Sequence, residues 1–220
     1  MIVQIYEITS PEEAIRVANM GVDHIGVVVG DGKDENEVRP YKARDIFLSL
    51  PEKIKGVALT KIADIAAIKQ LVMESEPDIL HLAGSFGEIL PDYLSEIKKE
   101  FPELEIMRTI PVVGEESVVA AMMYDGACDY LLLDSKDVET GHVGGTGRTH
   151  DWDIDAKIVE SVETSVIIAG GLGSDNVQDA IRKIRPFGVD SKTKTDKIGG
   201  KGKDAIKVKL FATKAKSVAL

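Results

Sequence analysis

The sequence predicts an α/β protein: a single (β/α)8 barrel, the TIM-barrel fold, formed by residues 1–220. Short runs rich in Val, Ile and Leu recur along the chain, and each is followed by a helical pattern. This alternation implies parallel strands joined by helices. Eight strand and helix pairs give about 27 residues for each unit, which is compact but sufficient for a closed barrel. No linker or low-complexity stretch divides the chain.

The predicted strands are the apolar runs themselves. They lie near Val3–Ile8, His24–Val29, Lys55–Leu59, Ile79–Leu82, Glu105–Ile110, Tyr130–Leu133, Val166–Ala169 and Gly188–Asp190. A closed barrel brings the carboxyl ends of all its strands to one mouth, where functional residues are found.

Capping residues and glycines delimit the helices. Ser10–Glu13 is a capping box with proline at the first helical position, and Gly21 suits the left-handed residue beyond the end of that helix. The fourth helix is expected to begin at Pro91, the fifth after Gly114 and the seventh at Ser174–Asp175.

Composition excludes several classes of protein. Apolar residues make up 44% of the chain, no window approaches the roughly 18 apolar residues of a spanning helix, and the first residues lack a signal-peptide pattern. We therefore expect a cytoplasmic protein without a membrane partner. The lone Cys128 excludes an internal disulfide and a cysteine zinc cluster. The net charge of −10 argues against nonspecific nucleic-acid binding, which requires a positive surface.

Charge is distributed unevenly along the chain. Nine lysines and two aspartates follow Asp190, so this last segment carries +7 and the residues before it carry −17. The lysines from Lys207 to Lys216 are typical of a solvated helix surface. Lys192 and Lys194 directly follow the eighth strand, and we interpret them as an anion site.

One acidic residue follows a buried strand directly. In Leu131–Asp134 the carboxylate comes after three leucines. If it faces the barrel, partial desolvation raises its pKa and suits it to general-acid catalysis. Asp134 could equally cap its own loop, Ser135–Asp151.

This loop and Gly30–Arg39 are the two longer polar connections at the predicted mouth. Gly144–Gly147, in the loop Ser135–Asp151, could bring backbone amides close to a ligand, although such glycine runs are often only flexible.

The loops after the last two strands predict a phosphate site. Gly170 and Gly171 follow strand seven and precede a helix, so their amides and the positive helix end can meet an anion. Thr193 and Lys194 occupy the equivalent position after strand eight. Barrels frequently bind phosphate between these two loops.

The histidines do not predict a metal site. His142 and His150 share one loop but lack the spacing of zinc ligands, so we expect neither a metal nor a cofactor. His81 ends strand four and could point into the mouth, whereas His24 begins strand two and is typical of packing or surface.

Several motifs together resemble phosphoribosylanthranilate isomerase, the tryptophan-pathway barrel, across nearly the whole chain. The matching motifs are Leu132–Ser135 (family LLDS), Gly144–Trp152 (GGTGxxFDW, with His150 for the aromatic residue), Ala169–Leu172 with Asn176–Val177 (AGGL and NV), Gly188–Asp190 (GVD) and Lys203–Asp204 (KD). Arg39 falls where the family has an arginine after strand two, and His81–Gly84 falls on its QLHG.

Two motifs depart from this family. The family begins K-I-C-G-x-T with the cysteine as general base. In Gln4–Thr9, Tyr6 occupies the position of that cysteine and Glu7 the position of the glycine. Tyrosine, with a reference pKa of about 10, is a weak base at neutral pH. Period-two alternation puts Glu7 on the face opposite Tyr6 unless the strand ends and turns there. After strand eight, the family's SSGxE becomes Lys192–Asp196, with Lys194 replacing the glycine that binds phosphate.

The resemblance implies a phosphosugar isomerase that performs an Amadori-type rearrangement of an aldose to a ketose. It implies a catalytic acid at Asp134, a base at Glu7 or Tyr6, substrate-binding residues at Arg39, His81, Gly144, Gly145 and Asp190, and phosphate-binding residues at Gly170, Gly171, Thr193 and Lys194. The expected ligand is a small phosphorylated sugar, which need not be phosphoribosylanthranilate. An epimerase or lyase acting on another phosphosugar, and a non-catalytic phosphosugar-binding barrel, are the alternatives, and the oligomeric state is not readable from the sequence.

Overall fold

The protein is described by a computed structural model that covers residues 1–33, 36–84, 87–135, 150–199 and 201–219. Nine strands occur within these ranges. They are β1 (Ile2–Ile5), β2 (His24–Val29), β3 (Glu37–Val38), β4 (Lys55–Thr60), β5 (Ile79–Leu82), β6 (Glu105–Val112), β7 (Tyr130–Ser135), β8 (Ser165–Ile168) and β9 (Gly188–Ser191).

Helices alternate with these strands along the chain. They are α1 (Pro11–Ala18), α2 (Pro40–Leu48), α3 (Ile65–Ser75), α4 (Pro91–Glu100), α5 (Glu116–Tyr124), α6 (Trp152–Ser161), α7 (Val177–Ile184) and α8 (Ala205–Lys216), with one 3-10 turn at Thr193–Thr195. In the described parts of the chain, no helix combines the length and apolar character that crossing a membrane requires.

The sheet closes on itself because β1 pairs with both β2 and β9. Gln4 lies opposite His24 on one side and opposite Asp190 on the other. The other neighbours follow the order β9-β8-β7-β6-β5-β4-β2, and β3 is added at the end of β2 beside Val28 and Val29. The barrel therefore consists of eight parallel strands, β1, β2 and β4 to β9, and the predicted (β/α)8 barrel is confirmed.

Alternation along each strand separates two apolar cores. Leu131 and Leu133 of β7 belong to the large core between the sheet and the helices, whereas Tyr130 and Leu132 belong to a smaller core inside the barrel. Successive side chains of a strand point to opposite faces. Asp134, two residues beyond Leu132, therefore lies on the interior face at the carboxyl end of β7.

The structure corrects two predicted boundaries. β1 ends at Ile5 and not at Ile8, because Glu7 adopts a left-handed backbone with φ of 63°. α7 begins at Val177 and not at Ser174–Asp175, since the side chain of Asn176 accepts a hydrogen bond from the amide of Gly173 at 2.9 Å and fixes the turn before the helix.

Predicted helix starts elsewhere agree with the structure. α1 begins at Pro11, with Ser10 Oγ accepting the amide of Glu13 at 3.3 Å, and α4 begins at Pro91. The Ser10 cap satisfies an amide that α1 itself leaves unpaired.

Two lysines of α8 are hydrogen-bonded to neighbouring loops. Lys207 Nζ donates to the carbonyl of Asp196 at 2.7 Å, and Lys214 Nζ donates to the carbonyl of Ser174 at 2.8 Å. These bonds fasten the last helix to the loops that surround the barrel mouth.

Candidate active site

Among the described residues, carboxyl groups from three strand ends lie at the barrel mouth, the end where the strands terminate. Asp134 and Asp190 are at the ends of β7 and β9, and Glu7 immediately follows β1. We call Glu7, Asp134 and Asp190 the carboxyl cluster. The charge of Asp134 acts on Asp190, and Lys192 acts on both.

Asp134 is half-buried on the interior face. Burial raises its pKa to about 6, although the amide of Ser135, at 2.7 Å from Oδ1, and the electrostatic interactions with His150 and Lys192 oppose the rise. A carboxyl group with this pKa exists in both protonation states near neutral pH. This is the condition for a general acid that must give up a proton and regain it.

Asp190 is more deeply buried, with 6% of its surface exposed. Burial and the neighbouring charge of Asp134 raise its pKa to about 8, so at neutral pH it is mainly a neutral acid. Gln4 Nε2 donates to Asp190 Oδ1 at 3.3 Å. Gln4 is neutral and occupies the place of the lysine in the K-I-C-G motif, so Asp190 has no cation at this position to hold it ionised.

Glu7 turns toward the mouth because β1 ends before it. Its side chain is 15% exposed, and its carboxylate pairs with Lys192 Nζ and accepts a hydrogen bond from Asn36 Nδ2 at 3.3 Å. A residue other than glycine in the left-handed region is strained, and such strain persists where surrounding contacts enforce it. Lys192, interpreted from the sequence as part of an anion site, instead lies against a carboxylate.

Tyr6 lies inside the barrel, and its ring crosses from β2 toward β5. A Cβ atom at Gly26 would lie 2.2 Å from Tyr6 Cδ1, so only glycine leaves room for the ring there. The Tyr6 hydroxyl is hydrogen-bonded to His81 Nδ1, and His81 Nε2 is hydrogen-bonded to Thr109 Oγ1 at 2.6 Å. The residue that follows β1 and residues of β5 and β6 thus form one polar chain across the interior.

Burial determines the protonation of this chain. It raises the pKa of Tyr6 well above its ordinary value, with further contributions from Asp190 and Asp134. Burial also lowers the pKa of His81 to about 3, so the imidazole is neutral. A protonated phenol weighs against Tyr6 as the base, and both ring nitrogens of His81 are engaged inside the barrel rather than directed to the mouth.

The two loops expected to bind phosphate lie next to each other. Gly170 and Gly171 have φ of 74° and 64°, a backbone that side chains disfavour. Ser191 Oγ donates to the carbonyl of Leu172 at 2.7 Å and links the end of β9 to this loop. The Lys194 side chain lies along the same loop, 3.0 Å from where a Cβ of Gly173 would be.

Lys203 shapes the loop after β9, a role that sequence reasoning did not assign. It is buried, and its Nζ donates to the carbonyl of Lys192 at 3.0 Å and to Asp196 Oδ1 at 2.5 Å. Its amide donates to Glu13 Oε1 at 2.6 Å. In the sequence, the match of Lys203–Asp204 to the family's KD motif is the signal that could have indicated this role.

The remaining predicted substrate residues are Arg39, Gly144 and Gly145. Arg39 is exposed at the start of α2, beside Gly32 of the loop that follows β2. Gly144 and Gly145 fall outside the described residues.

Comparison with known proteins decides the family. Residues 3–214 match the family described as N-(5'phosphoribosyl)anthranilate (PRA) isomerase. The chain belongs to this family. It is 33% identical over 218 residues to N-(5'-phosphoribosyl)anthranilate isomerase 2 of Methanosarcina mazei, covering 99% of this chain and 95% of that relative.

Solved structures agree with this membership. Phosphoribosyl anthranilate isomerase from Thermotoga maritima superimposes with a TM-score of 0.83 at 26% identity, over 99% of this chain and 100% of that one. A phosphoribosyl anthranilate isomerase in complex with reduced 1-(o-carboxyphenylamino)-1-deoxyribulose 5-phosphate has the same fold, with a TM-score of 0.81 at 24% identity over 99% of this chain and 100% of that one.

This member of the phosphoribosylanthranilate isomerase family is an isomerase in which residues at and inside the barrel mouth differ from the family motifs. Tyr6 at the cysteine position is accommodated by Gly26, and Glu7 at the glycine position is paired with Lys192. Lys192 and Glu7 both replace small residues of the family motifs. Their ion pair therefore connects the altered motif after β1 with the altered motif after β9.

Proposed function

We propose that the protein converts N-(5'-phosphoribosyl)anthranilate to its 1-amino-1-deoxyketose, a step of tryptophan biosynthesis, with Asp134 as acid and Glu7 as base. Family membership and the names of its relatives support the reaction class. The observation that carries the assignment is the carboxyl cluster: two groups with raised pKa values lie beside a third, paired carboxylate at the mouth.

Asp134 would begin the reaction by protonating the furanose ring oxygen. The bond between this oxygen and the first sugar carbon then breaks, and the nitrogen lone pair forms an iminium ion. The pKa of about 6 leaves about a tenth of Asp134 protonated at pH 7 and more at lower pH. Proton donation converts Asp134 to a carboxylate, which the positive charge of Lys192 stabilises.

Glu7 would then remove the proton from the second sugar carbon. The electron pair of that C–H bond forms the double bond to the first carbon and neutralises the iminium ion, giving an enolamine. Loss of the proton of the second-carbon hydroxyl and protonation of the first carbon yield the ketose, so substrate and product are isomers. Lys192 orients the Glu7 carboxylate for this step.

Asp190 and the late loops would hold the substrate. A neutral Asp190 can donate a hydrogen bond to a sugar hydroxyl, which an ionised carboxylate cannot. The phosphate would lie between Gly170–Gly171 and Thr193–Lys194, where left-handed glycines and the start of α7 present amides. Arg39, on the exposed rim, would orient the substrate carboxylate by charge.

Turnover of N-(5'-phosphoribosyl)anthranilate by the purified full chain tests this proposal. We expect conversion at a rate about 10²–10⁴-fold below that of a cysteine-containing relative, because a strained carboxylate replaces a positioned thiolate. Asp134→Asn and Glu7→Gln should each remove most of kcat and leave phosphosugar affinity within a few-fold. Asp45→Asn, an exposed position on α2, is the matched control.

Three outcomes would overturn the assignment. Undiminished turnover in Asp134→Asn would show that Asp134 only anchors its loop. Binding of phosphosugars without conversion of any of them would favour the non-catalytic barrel, whereas conversion of a different phosphosugar would favour an epimerase or lyase.

A further inference from the structure

Three polar side chains lie side by side in the barrel interior, at one level of the sheet. The strand register pairs Gln4 of β1 with His24 of β2 on one side and with Asp190 of β9 on the other. All three residues are buried. His24 Nδ1 lies 3.1 Å from Gln4 Oε1, and Gln4 Nε2 lies 3.3 Å from Asp190 Oδ1. We call His24, Gln4 and Asp190 the polar row.

The orientation of the Gln4 amide follows from its neighbours. Besides Asp190, Nε2 contacts Met107 Sδ at 3.9 Å. A thioether sulfur can only accept a hydrogen bond, so the amide directs its NH2 group toward Met107 and its oxygen toward His24. Because an amide oxygen can only accept, His24 Nδ1 carries a hydrogen and donates it to Gln4 Oε1.

His24 is a neutral donor in this contact. Burial and the charge of Lys55 lower its pKa to about 4, although Asp23 and Glu105 oppose the fall. A neutral imidazole has one N–H group, and here that group is used by Gln4. The position of this single hydrogen therefore decides which end of the amide faces β9.

Packing holds the imidazole in this orientation. The Tyr130 ring meets the His24 ring edge-on, with centroids 6.0 Å apart and an interplanar angle of 74°. The Tyr130 hydroxyl donates to Glu105 Oε2 at 2.8 Å, so the ring that supports His24 is itself anchored. The donor on Nδ1 is thus directed at Gln4 before any ligand arrives.

Donation by Gln4 determines which oxygen of Asp190 carries the acid proton. Burial and the charge of Asp134 favour the protonated form of Asp190 by raising its pKa to about 8, and the hydrogen bond from Gln4 opposes the rise. In a protonated carboxyl group that accepts at its carbonyl oxygen, the other oxygen carries the hydrogen. Since Oδ1 accepts from Gln4, this hydrogen is on Oδ2. Among the residues that the structure describes, Oδ2 has no hydrogen-bond partner, so it can donate to a ligand in the mouth.

The amide of Gln4 is what makes this control necessary. The family motif K-I-C-G has a lysine here, which carries donors only, whereas an amide has a donor end and an acceptor end that exchange when it rotates. A rotated Gln4 would offer Oε1 to Asp190 and accept its proton, which would leave no donor for a ligand. His24 opposes that rotation, because its N–H group would then face the amide NH2 group.

We propose that His24 is a positioning residue for substrate binding, which fixes the Gln4 amide so that Asp190 presents its proton to a sugar hydroxyl. The inference rests on the proposed function for the assignment of Asp190 as a substrate ligand. The direction of the hydrogen bonds in the polar row can be tested without turnover.

His24→Asn and His24→Leu form a matched pair. Asparagine carries its NH2 group on Cγ, as histidine carries Nδ1, whereas leucine has nearly the shape of asparagine and no donor. We expect His24→Leu to weaken binding of ribose 5-phosphate, measured by calorimetry, by about 5-fold, the value of one average hydrogen bond. His24→Asn should bind within about 2-fold of wild type. Inorganic phosphate has no sugar hydroxyl, so its affinity should be equal in all three proteins.

The titration of Asp190 gives a second measurement. Carboxyl NMR, with the Asp190 signal assigned by its loss in Asp190→Asn, should show the midpoint about 0.7 pH unit higher in His24→Leu and nearly unchanged in His24→Asn. The rise follows because a rotated amide accepts the proton and stabilises the neutral acid. Gln4→Met removes the amide but keeps its length, so it should also raise the midpoint, and it decides the question if His24→Leu does not fold. The charged groups that act on the two ends of the polar row stay constant in every variant. They are Asp134, Lys192 and Lys203 around Asp190, and Asp23, Lys55 and Glu105 around His24.

Kinetics separate binding from chemistry. His24→Leu should raise KM for N-(5'-phosphoribosyl)anthranilate by about 5-fold and leave kcat within about 2-fold, because a hydrogen bond to a sugar hydroxyl holds ground state and transition state alike. A general folding defect would lower kcat as well and would not be rescued by His24→Asn.

The outcomes separate this inference from the proposed function. Equal behaviour of His24→Asn and His24→Leu would overturn the role of the Nδ1 hydrogen, and a parallel loss of inorganic phosphate affinity would assign His24 to folding alone. The expected difference between the two variants, without conversion of N-(5'-phosphoribosyl)anthranilate by the wild type, would uphold the inference and overturn the proposed function. Conversion at the expected rate with equal KM in both variants would do the reverse. If ribose 5-phosphate binds too weakly to measure, the Asp190 midpoint decides.

Discussion

Replacement of Glu7 by glycine should stabilise the protein relative to alanine while both changes remove catalysis. Glu7 has φ of 63°, where any side chain is strained by about 1–2 kcal/mol. Glycine relieves this strain but gives the unfolded chain more freedom, which costs about 0.4–1 kcal/mol. Glycine and alanine both lose the contacts to Lys192 and Asn36, so these losses cancel in the comparison.

The difference between the two variants is therefore centred on about 0.8 kcal/mol in favour of Glu7→Gly. For a chain of this size, each kcal/mol corresponds to about 2–4 °C in Tm, so the expected separation is about 1–4 °C. Thermal unfolding followed by circular dichroism can resolve a separation in that range. Conversion of N-(5'-phosphoribosyl)anthranilate, measured by chromatography, should fall by about 10²–10⁴-fold in both.

Glu76 provides the control because its local geometry is similar. It has φ of 47° at the end of α3 and pairs with Arg44 at 2.7 Å. Glu76→Gly should exceed Glu76→Ala in stability by a comparable amount and leave turnover unchanged. Equal Tm values for Glu7→Gly and Glu7→Ala would contradict the left-handed geometry of Glu7, and retained turnover in either would contradict its role as base.

Three further perturbations follow from the interior and the loops. Gly26→Ala should lower the free energy of unfolding by about 1–3 kcal/mol in denaturant unfolding, because the new Cβ would lie 2.2 Å from the Tyr6 ring. Adding Tyr6→Cys to Gly26→Ala should restore the lost stability, and a double variant as unstable as Gly26→Ala would contradict the contact. Burial raises the pKa of Asp134 from 3.8 to about 6, so the native state loses stability as pH rises through this window. Asp134→Asn should match wild type near pH 4 and exceed it at pH 8 by at most about 3 kcal/mol, and a difference independent of pH would refute the raised pKa. Saturation with a phosphosugar at 100 times Kd should stabilise the protein by about 2.7 kcal/mol, and an unchanged shift in a Gly171→Asp and Lys194→Glu double variant would exclude the phosphate site.

Local patterns in the sequence were sufficient for the barrel. Apolar runs at regular intervals encode strands and helices because burial on a strand or helix face depends on spacing along the chain. The same reasoning predicted the start of α1 at Pro11 from its cap, and it located Asp134 at a strand end, because three leucines precede it. These features depend on residues within a few positions of one another.

The orientation and charge of the candidate site required the tertiary structure. A single backbone angle at Glu7 decides that its carboxylate meets Lys192, which lies at the far end of the chain. The contact of Tyr6 with His81 spans 75 residues, and the raised pKa of Asp190 arises from burial and from Asp134 on another strand. Closure of the barrel brings such groups together and removes water from them. The spacing of residues along the sequence predicts neither the distances between these groups nor their desolvation.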